Sequence, residues 1–440
     1  MRISVIGCGY LGAVHAACMA ELGHDVVGID VDPAKVALLS QGRAPFHEPG
    51  FEEVLRRNVE AGQLRFSTDF ADLAGAQVHF VGVGTPQVQG GYAADLTYVR
   101  DAFRSLLPFL GEHPDGPMLV VGKSTVPVGT AASLAAQVRP TGAHLVWNPE
   151  FLREGFAVQD TITPDRIVYG LPADPAAADA AREVLDTVYA RLLEQDIPRL
   201  VTDYATAELV KVAANSFLAT KISFINAMAE LCEATGADVT QLAEAIGYDD
   251  RIGRKFLRAG IGFGGGCLPK DIRAFMARAG ELGVDQALTF LREVDSINDR
   301  RRDHIVNLAR EGLGGTFENK TVAVLGAAFK PDSDDMRNSP ALDIAARIAG
   351  EGATVVITDP AAGPRLQAER PSANVAPDAH AAAAGADVVL LLTEWQQFKN
   401  LDPATLKDVV TTPWIIDGRN ALDPATWRAA GWTYTGIGRP

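Results

Sequence analysis

Cysteine is scarce in this chain. Four thiols, Cys8, Cys18, Cys232 and Cys267, are scattered over 440 residues without a CxxC pair, which gives neither a disulfide framework nor a thiolate zinc site. The eight histidines show no ligand spacing, so no metal is expected. No run of about 18 or more apolar residues offers a membrane span. The opening Met1-Arg2-Ile3-Ser4-Val5-Ile6 reads as a core strand, without the apolar region and cleavage site of a signal peptide, so the cytoplasm is the expected compartment. Basic charge is also in deficit. A formal net charge of −15 argues against a nucleic-acid surface, yet it leaves room for anionic small molecules held by a few lysines, arginines and helix N-termini.

What is present is an ordinary globular composition, 47% hydrophobic and 22% charged. The length exceeds one core, since domains run to roughly 100–200 residues. Up to about Asp165, strand-like apolar runs at 3–6, 26–30, 78–83, 118–123 and 145–148 alternate with helical stretches, which predicts βαβ units and a parallel sheet. Residues 204–235 hold neither proline nor glycine, are rich in alanine and leucine and precede Gly236; one long helix is expected there. Alternation returns near Asn319, with strands at 321–325, 353–358, 388–393 and 414–417. Residues 3–7 echo 322–326, 27–30 echo 356–359 and 75–78 echo 385–388, which suggests that the last domain shares the architecture of the first.

Gly7-Cys8-Gly9-Tyr10-Leu11-Gly12 follows the first strand and opens a helix, the context in which a glycine pattern becomes a dinucleotide fingerprint. Gly7 permits the tight turn, Gly9 lets backbone approach a pyrophosphate, and Gly12 lets helix and strand pack closely. The pyrophosphate then meets the positive end of the helix. Asp30 ends the second strand where a carboxylate binds ribose hydroxyls and repels the extra phosphate of NADP, so NAD is the expected cofactor. The blander alternative is a fold whose glycines serve packing alone. The matching turn of the last domain, Gly326-Ala327-Ala328-Phe329-Lys330, lacks the second and third glycines and is not expected to hold a dinucleotide in the same way. Lys330 is there a candidate phosphate contact or a solvated lysine. The expected fold is α/β: two Rossmann-like parallel-sheet domains, 1–200 and 301–440, joined by a central helical domain, 201–300, with one long helix.

The run Gly262-Phe263-Gly264-Gly265-Gly266-Cys267-Leu268-Pro269-Lys270-Asp271 crowds four glycines against one cysteine. Pro269 suits the first position of a helix, which puts Cys267 at the N-terminal end, where a thiolate is stabilised. Asp271 then lies about one turn on, placed to orient water or take a proton. The competing reading is a small buried apolar cysteine, and Cys8, Cys18 and Cys232 receive it. Lys211 and Asn215 share a face of the long helix within an apolar run. They are candidates for stabilising developing oxyanion charge, with a snorkelling structural lysine as the alternative. Glu150 and Glu154 follow one strand and Thr125 another, where active sites of such sheets collect.

Taken together, Gly7 to Gly12, Gly84-Thr85-Pro86, the 124–130 and 148–155 segments, residues 208–233, the 262–271 run, and Phe329-Lys330-Pro331 with Asp334-Asp335-Met336-Arg337 resemble the UDP-glucose/GDP-mannose dehydrogenase family over essentially the full length. The resemblance implies an NAD-dependent, four-electron oxidation of a nucleotide-sugar C6 alcohol to a carboxylate through an aldehyde. Cys267 would capture that aldehyde as a thiohemiacetal, then a thioester that water hydrolyses. It further implies Lys211 at the developing oxyanion, Asn215 with a water held by Thr125 and Asp271, and Glu150 activating the hydrolytic water. On the cofactor it places the turn with Tyr10 and Leu11, and Asp30, Lys35, Thr85, Thr125, Glu154, Lys270 and Arg337. Toward the substrate it places Glu150, Phe151, Leu152, Arg153 and Glu154, then Lys211 and Asn215. The same list continues with Arg258, Gly260, Phe263, Gly264, Phe329, Lys330 and Arg419, and with Arg251 across the interface of a homodimer built on the central domain.

Gly266 departs from the many relatives with serine there, which bears on loop detail more than on chemistry. The absence of a Gly-His-Cys pattern and the 329–337 segment look more like the UDP-glucose branch, with UDP-glucuronate as product, than the GDP-mannose branch. GDP-mannose oxidation stays open as the nearest rival. A two-electron hydroxyacid dehydrogenase and a silent NAD-binding scaffold stand further off, since neither has a use for Cys267.

Overall fold

The computed structural model describes residues 1–440, and no helix in it is long and apolar enough to cross a membrane. Short, mostly apolar runs form the strands of a first sheet: β1 (Arg2–Ile6), β2 (Asp25–Ile29), β3 (Leu64–Ser67), β4 (Val78–Val81), β5 (Leu119–Gly122), β6 (His144–Trp147), β7 (Ile167–Leu171) and β8 (Arg199–Asp203). Their order is β8-β7-β6-β5-β4-β1-β2-β3. The central strands are buried on both faces, which is why they carry apolar runs and not alternation.

The sheet departs from the all-parallel expectation at one pairing, because β6 and β7 run antiparallel. The connection between them carries only helix α3 (Ala157–Ile162), about 9 Å of helix against a strand of about 16 Å. The sheet also runs past residue 165, to Asp203 in β8. Two helices earlier in the chain position the site: α1 (Tyr10–Glu21) and α2 (Thr130–Val138). Small side chains let α1 bury residues 12–20 completely.

A second, wholly parallel sheet has β9 (Thr321–Leu325), β10 (Thr354–Thr358), β11 (Val388–Leu391), β12 (Trp414–Asp417) and β13 (Thr433–Gly436) in the order β10-β9-β11-β12-β13. This is the order β2-β1-β4-β5-β6 of the first sheet. The echo extends to detail. Gly7 and Gly326 both take left-handed φ values, +88° and +116°, where a Cβ is disfavoured. Each donates its N–H to the end of the neighbouring strand, Ile29 and Thr358, at 2.8 Å. Asp30 and Asp359 then accept the next amide, from Cys8 at 2.8 Å and from Ala327 at 2.7 Å.

Helix α4 (Tyr204–Thr235) has the bounds the sequence predicts, and α5 (Leu268–Glu281) and α6 (Phe290–Gly312) follow it. By internal packing the chain forms two units, 1–214 with 273–283, and 215–272 with 284–440.

Candidate active site

In the first unit the parallel register aligns the carboxyl ends of β1, β4, β5 and β6 along one edge, since Ile6 pairs with Val81, Val81 with Gly122 and Gly122 with Trp147. The loops leaving that edge are 7–9, 82–86, 123–129 and 148–156. Open α/β sheets bind ligands at such an edge.

The first loop fits a dinucleotide. A Cβ on Gly12 would lie 1.8 Å from the Gly7 carbonyl oxygen, so helix and turn touch only because it is absent. A Cβ on Gly9 would meet no protein atom within 4 Å, which leaves the helix N-terminus open to an anion. Asp30 is buried one residue past β2, and its carboxylate also accepts from the Asp32 amide at 3.0 Å and from Lys35 Nζ at 3.0 and 3.1 Å. Lys35 is thus brought to Asp30. The phenol of Tyr10 donates to Glu48, and burial beside that carboxylate pushes its pKa far up.

The next two loops are stitched together. Thr85 Oγ1 donates to the Thr125 carbonyl at 2.9 Å, and Ser124 Oγ to that of Val83 at 2.7 Å. Glu150 is held at both oxygens: Oε1 accepts from the amides of Phe151 (2.8 Å) and Leu152 (3.0 Å), and Oε2 meets Lys123 Nζ at 3.1 Å. Lys123 is itself buried and donates to Asn148 Oδ1 at 3.1 Å. The sequence flags the 123–127 segment but assigns Lys123 no part; its burial, visible only in three dimensions, is the missing signal. Arg153 ties back to Asp160 through 2.6 and 2.8 Å bonds, while Leu152 packs on the core beneath. Lys211 Nζ lies 5.5 Å from the centroid of the Phe151 ring, a cation–π distance. The start of α4 is anchored by buried Glu208, which accepts from the amides of Gly129 and Ala131 at 2.7 Å each, at the N-terminus of α2.

In the second unit, Cys267 is exposed, whereas Cys8, Cys18 and Cys232 are buried. Burial raises all three inert thiols, Cys18 to about 12. The Cys267 carbonyl accepts the Asp271 amide at 3.0 Å, the first bond of α5, so Cys267 is the N-cap. Pro269 therefore occupies the second helical position and not the first, one residue off the sequence expectation, because the helix opens at Leu268. Asp271 is buried; its Oδ2 accepts from Asn215 Nδ2 at 2.6 Å and its Oδ1 from Lys270 Nζ at 2.6 Å. Three of the flagged residues, Asn215, Lys270 and Asp271, thus form one network a single turn from the exposed thiol.

The 260–266 loop has no ladder of its own, so side chains satisfy its backbone. Asn226 accepts from the Gly260 amide at 2.8 Å, and Asn298 both accepts from and donates to Phe263, at 2.7 and 3.0 Å. Buried Arg301 donates to Gly260 at 3.4 Å. None of these three is legible in the sequence, where polar helix residues read as solvent-facing.

Arg419, which the resemblance assigns to the substrate, is held by several protein groups. Its guanidinium donates to the carbonyls of Leu392 (2.8 Å), Gly262 (3.1 Å) and Phe329 (3.2 Å) and lies 3.4 Å from Glu394. It is first of all the tie that joins the loop before Cys267 to the turn after β9, which carries Phe329 and Lys330. A Cβ on Gly264 would sit 2.3 Å from the Asn338 carbonyl, and one on Gly266 2.4 Å from Arg337 Cζ. Arg337, paired with Asp335 at 2.7 Å, thus occupies the place of a side chain at 266. Arg251 and Arg258 are both exposed, and Arg251 pairs with Asp249 at 2.6 Å.

Sequence profiles of the UDP-glucose/GDP-mannose dehydrogenase family match three successive stretches: its NAD binding domain over residues 1–193, its central domain over 205–300 and its UDP binding domain over 323–424. The chain is 40% identical over 445 residues to a UDP-glucose 6-dehydrogenase of Rhizobium meliloti (strain 1021), with 100% of both chains covered. It is 40% identical over 446 residues to UDP-glucose 6-dehydrogenase TuaD of Bacillus subtilis (strain 168), covering 100% of this chain and 93% of that one. Among solved structures, a UDP-glucose dehydrogenase from the hyperthermophilic archaeon Pyrobaculum islandicum gives a TM-score of 0.89 at 38% identity, over 100% of this chain and 98% of the other. The chain belongs to the UDP-glucose/GDP-mannose dehydrogenase family.

Proposed function

We propose that this protein oxidises UDP-glucose to UDP-glucuronate with NAD, in the cytoplasm. Full-length similarity to UDP-glucose 6-dehydrogenases and the match to a UDP binding domain support the substrate. The observation that carries the chemistry is the exposed Cys267 thiol at the N-cap of α5, one turn from the buried Asp271–Asn215 pair. NAD, when bound on the 7–12 turn with its ribose hydroxyls at Asp30, supplies the acceptor for the hydride released in each of two oxidations. Lys35, Thr85, Thr125, Glu154, Lys270 and Arg337 complete its proposed surroundings.

In the first oxidation the C6 hydroxyl proton passes to a water held by Thr125 and Asp271, while the Lys211 ammonium stabilises the alkoxide. The alkoxide becomes the aldehyde as C6 loses its first hydride. Cys267 Sγ, as a thiolate, then bonds to the aldehyde carbon, and the carbonyl oxygen becomes an oxyanion facing Lys211 and Asn215. Loss of a second hydride restores the C=O bond as a thioester. A water oriented by Glu150 gives that carboxylate a proton as it adds to the carbonyl. The C–S bond breaks, the thiolate leaves, and the resulting acid gives its proton to solvent and is released as the carboxylate. Residues 150–154, Arg258, the 260–264 loop, Phe329 and Lys330 are the proposed sugar-nucleotide contacts, with Arg419 holding two of those segments together.

GDP-mannose is the rival substrate, since it needs the same C6 chemistry. With excess NAD, kcat/KM is expected to favour UDP-glucose over GDP-mannose by about a hundredfold or more, roughly 3 kcal/mol of differential transition-state binding. Equal or inverted values overturn the substrate assignment.

We also propose a homodimer along α4. Phe217, Phe224 and Leu231 recur every seven residues on that helix and are 67%, 49% and 57% exposed, an apolar row of the kind that marks an interface. Arg251, 89% exposed on its side chain, is the residue proposed to reach the partner. Light scattering is expected to give twice the chain mass, falling toward one chain in the double variant Phe217→Glu, Phe224→Glu. A parent protein that runs as a monomer contradicts it.

A further inference from the structure

Glu48 lies in the loop before helix Phe51–Glu60, is 6% exposed, and pairs with no basic side chain. A buried carboxylate without a cation is costly unless several donors converge on it. Three do so here. Its Oε2 accepts from the Gly155 amide at 2.6 Å and from the Tyr10 phenol, and its Oε1 from the Ala157 amide at 2.7 Å. Tyr10 is the first residue of α1, directly after the dinucleotide turn, whereas Gly155 and Ala157 end the 148–156 segment and begin α3. The same loop grips Tyr10 a second time, through the Phe46 ring at 4.7 Å between centroids; Phe46 in turn stacks on Phe51 at 5.1 Å. The Gly155 amide also lies 3.3 Å from the Tyr10 hydroxyl oxygen, so the three groups form a closed triangle.

We infer that Glu48 is a positioning residue that docks the substrate-binding segment 151–155 onto the first turn of the cofactor helix through Tyr10. The inference rests on the proposed assignment of that segment to the sugar nucleotide. The segment has no strand or helix of its own and is held at discrete points. Lys123 fixes its beginning at Glu150, Asp160 fixes Arg153, and Glu48 fixes its end. Releasing the last point frees the backbone that carries Leu152 to Glu154 and leaves the Lys123–Glu150 pair in place. The effect therefore falls on sugar-nucleotide binding more than on the chemical steps.

Tyr10→Phe deletes one hydroxyl on the cofactor helix, and Glu48→Gln keeps the volume but turns one acceptor into a donor facing an amide. Each is expected to raise KM for UDP-glucose about five- to tenfold. Calorimetry without NAD is expected to show UDP-glucose binding weakened by the same factor. A residue that merely supports the fold lowers the melting midpoint and leaves this affinity unchanged. If Glu48→Gln fails to fold, Tyr10→Phe decides. UDP-glucose affinity within twofold of the parent in folded Tyr10→Phe overturns the inference. Failure of the parent protein to bind UDP-glucose at all overturns instead the substrate assignment on which it rests.

Discussion

Replacing Cys267 by alanine is expected to lower steady-state formation of the carboxylate product by about a thousandfold or more, an increase of roughly 4 kcal/mol in the barrier. The variant should remain folded. The thiol is exposed, and substitutions of exposed side chains usually shift stability by about 0.5 kcal/mol or less. Coupling a large catalytic loss to an unchanged melting curve separates the nucleophile from a packing cysteine. The same change at Cys8 or Cys18, both fully enclosed by the first core, is expected to do the reverse and cost stability before activity. Product formation at the parental rate by Cys267→Ala removes the sulfur from the mechanism.

Lys211→Met should cost about a hundred- to a thousandfold in kcat, the scale set by deleting one donor to a developing oxyanion. Methionine keeps the length and apolar stem of the side chain, so the packing of α4 changes little. Near the Phe151 ring, 5.5 Å from Nζ, a thioether retains a favourable contact and the charge alone is lost. KM for UDP-glucose is therefore expected to move less than kcat. A large rise in KM with kcat preserved would make Lys211 a binding residue and leave the oxyanion to other donors.

Much of this arrangement is legible in the sequence because it is governed by short-range rules. The glycine turn can be read from residues 7–12 alone, since left-handed backbone at Gly7 and contact at Gly12 are demands on single positions. The long helix follows from an uninterrupted stretch without Gly or Pro. Strand β8 escapes because, at the sheet edge, nearly all its side chains are exposed and neither alternation nor an apolar run marks it. The antiparallel entry of β7 escapes because strand direction is set by how the connection folds back in three dimensions, which composition does not record.

Side chains that act over long sequence separations are the larger omission. Glu48, Lys123, Asn226, Asn298 and Arg301 look in sequence like ordinary surface polar residues, yet all five are buried. Their meaning comes from partners such as Gly155 for Glu48, 107 positions away, and Phe263 for Asn298, 35 positions away. Arg419 is the complementary case. Family resemblance directs it to substrate, and its guanidinium is also held by three carbonyls and Glu394, none of them close in sequence. A positive charge held there organises the glycine loop and the Phe329 turn together, so its loss is felt at both.

One titration tests the covalent route most directly. With a limiting, weighed amount of UDP-glucose and excess NAD, NADH is followed by absorbance to completion while a carbonyl-trapping amine reports any free aldehyde. Capture by Cys267 predicts two NADH for each UDP-glucose consumed and no trapped aldehyde. One NADH per sugar, with the aldehyde recovered on the amine, contradicts it.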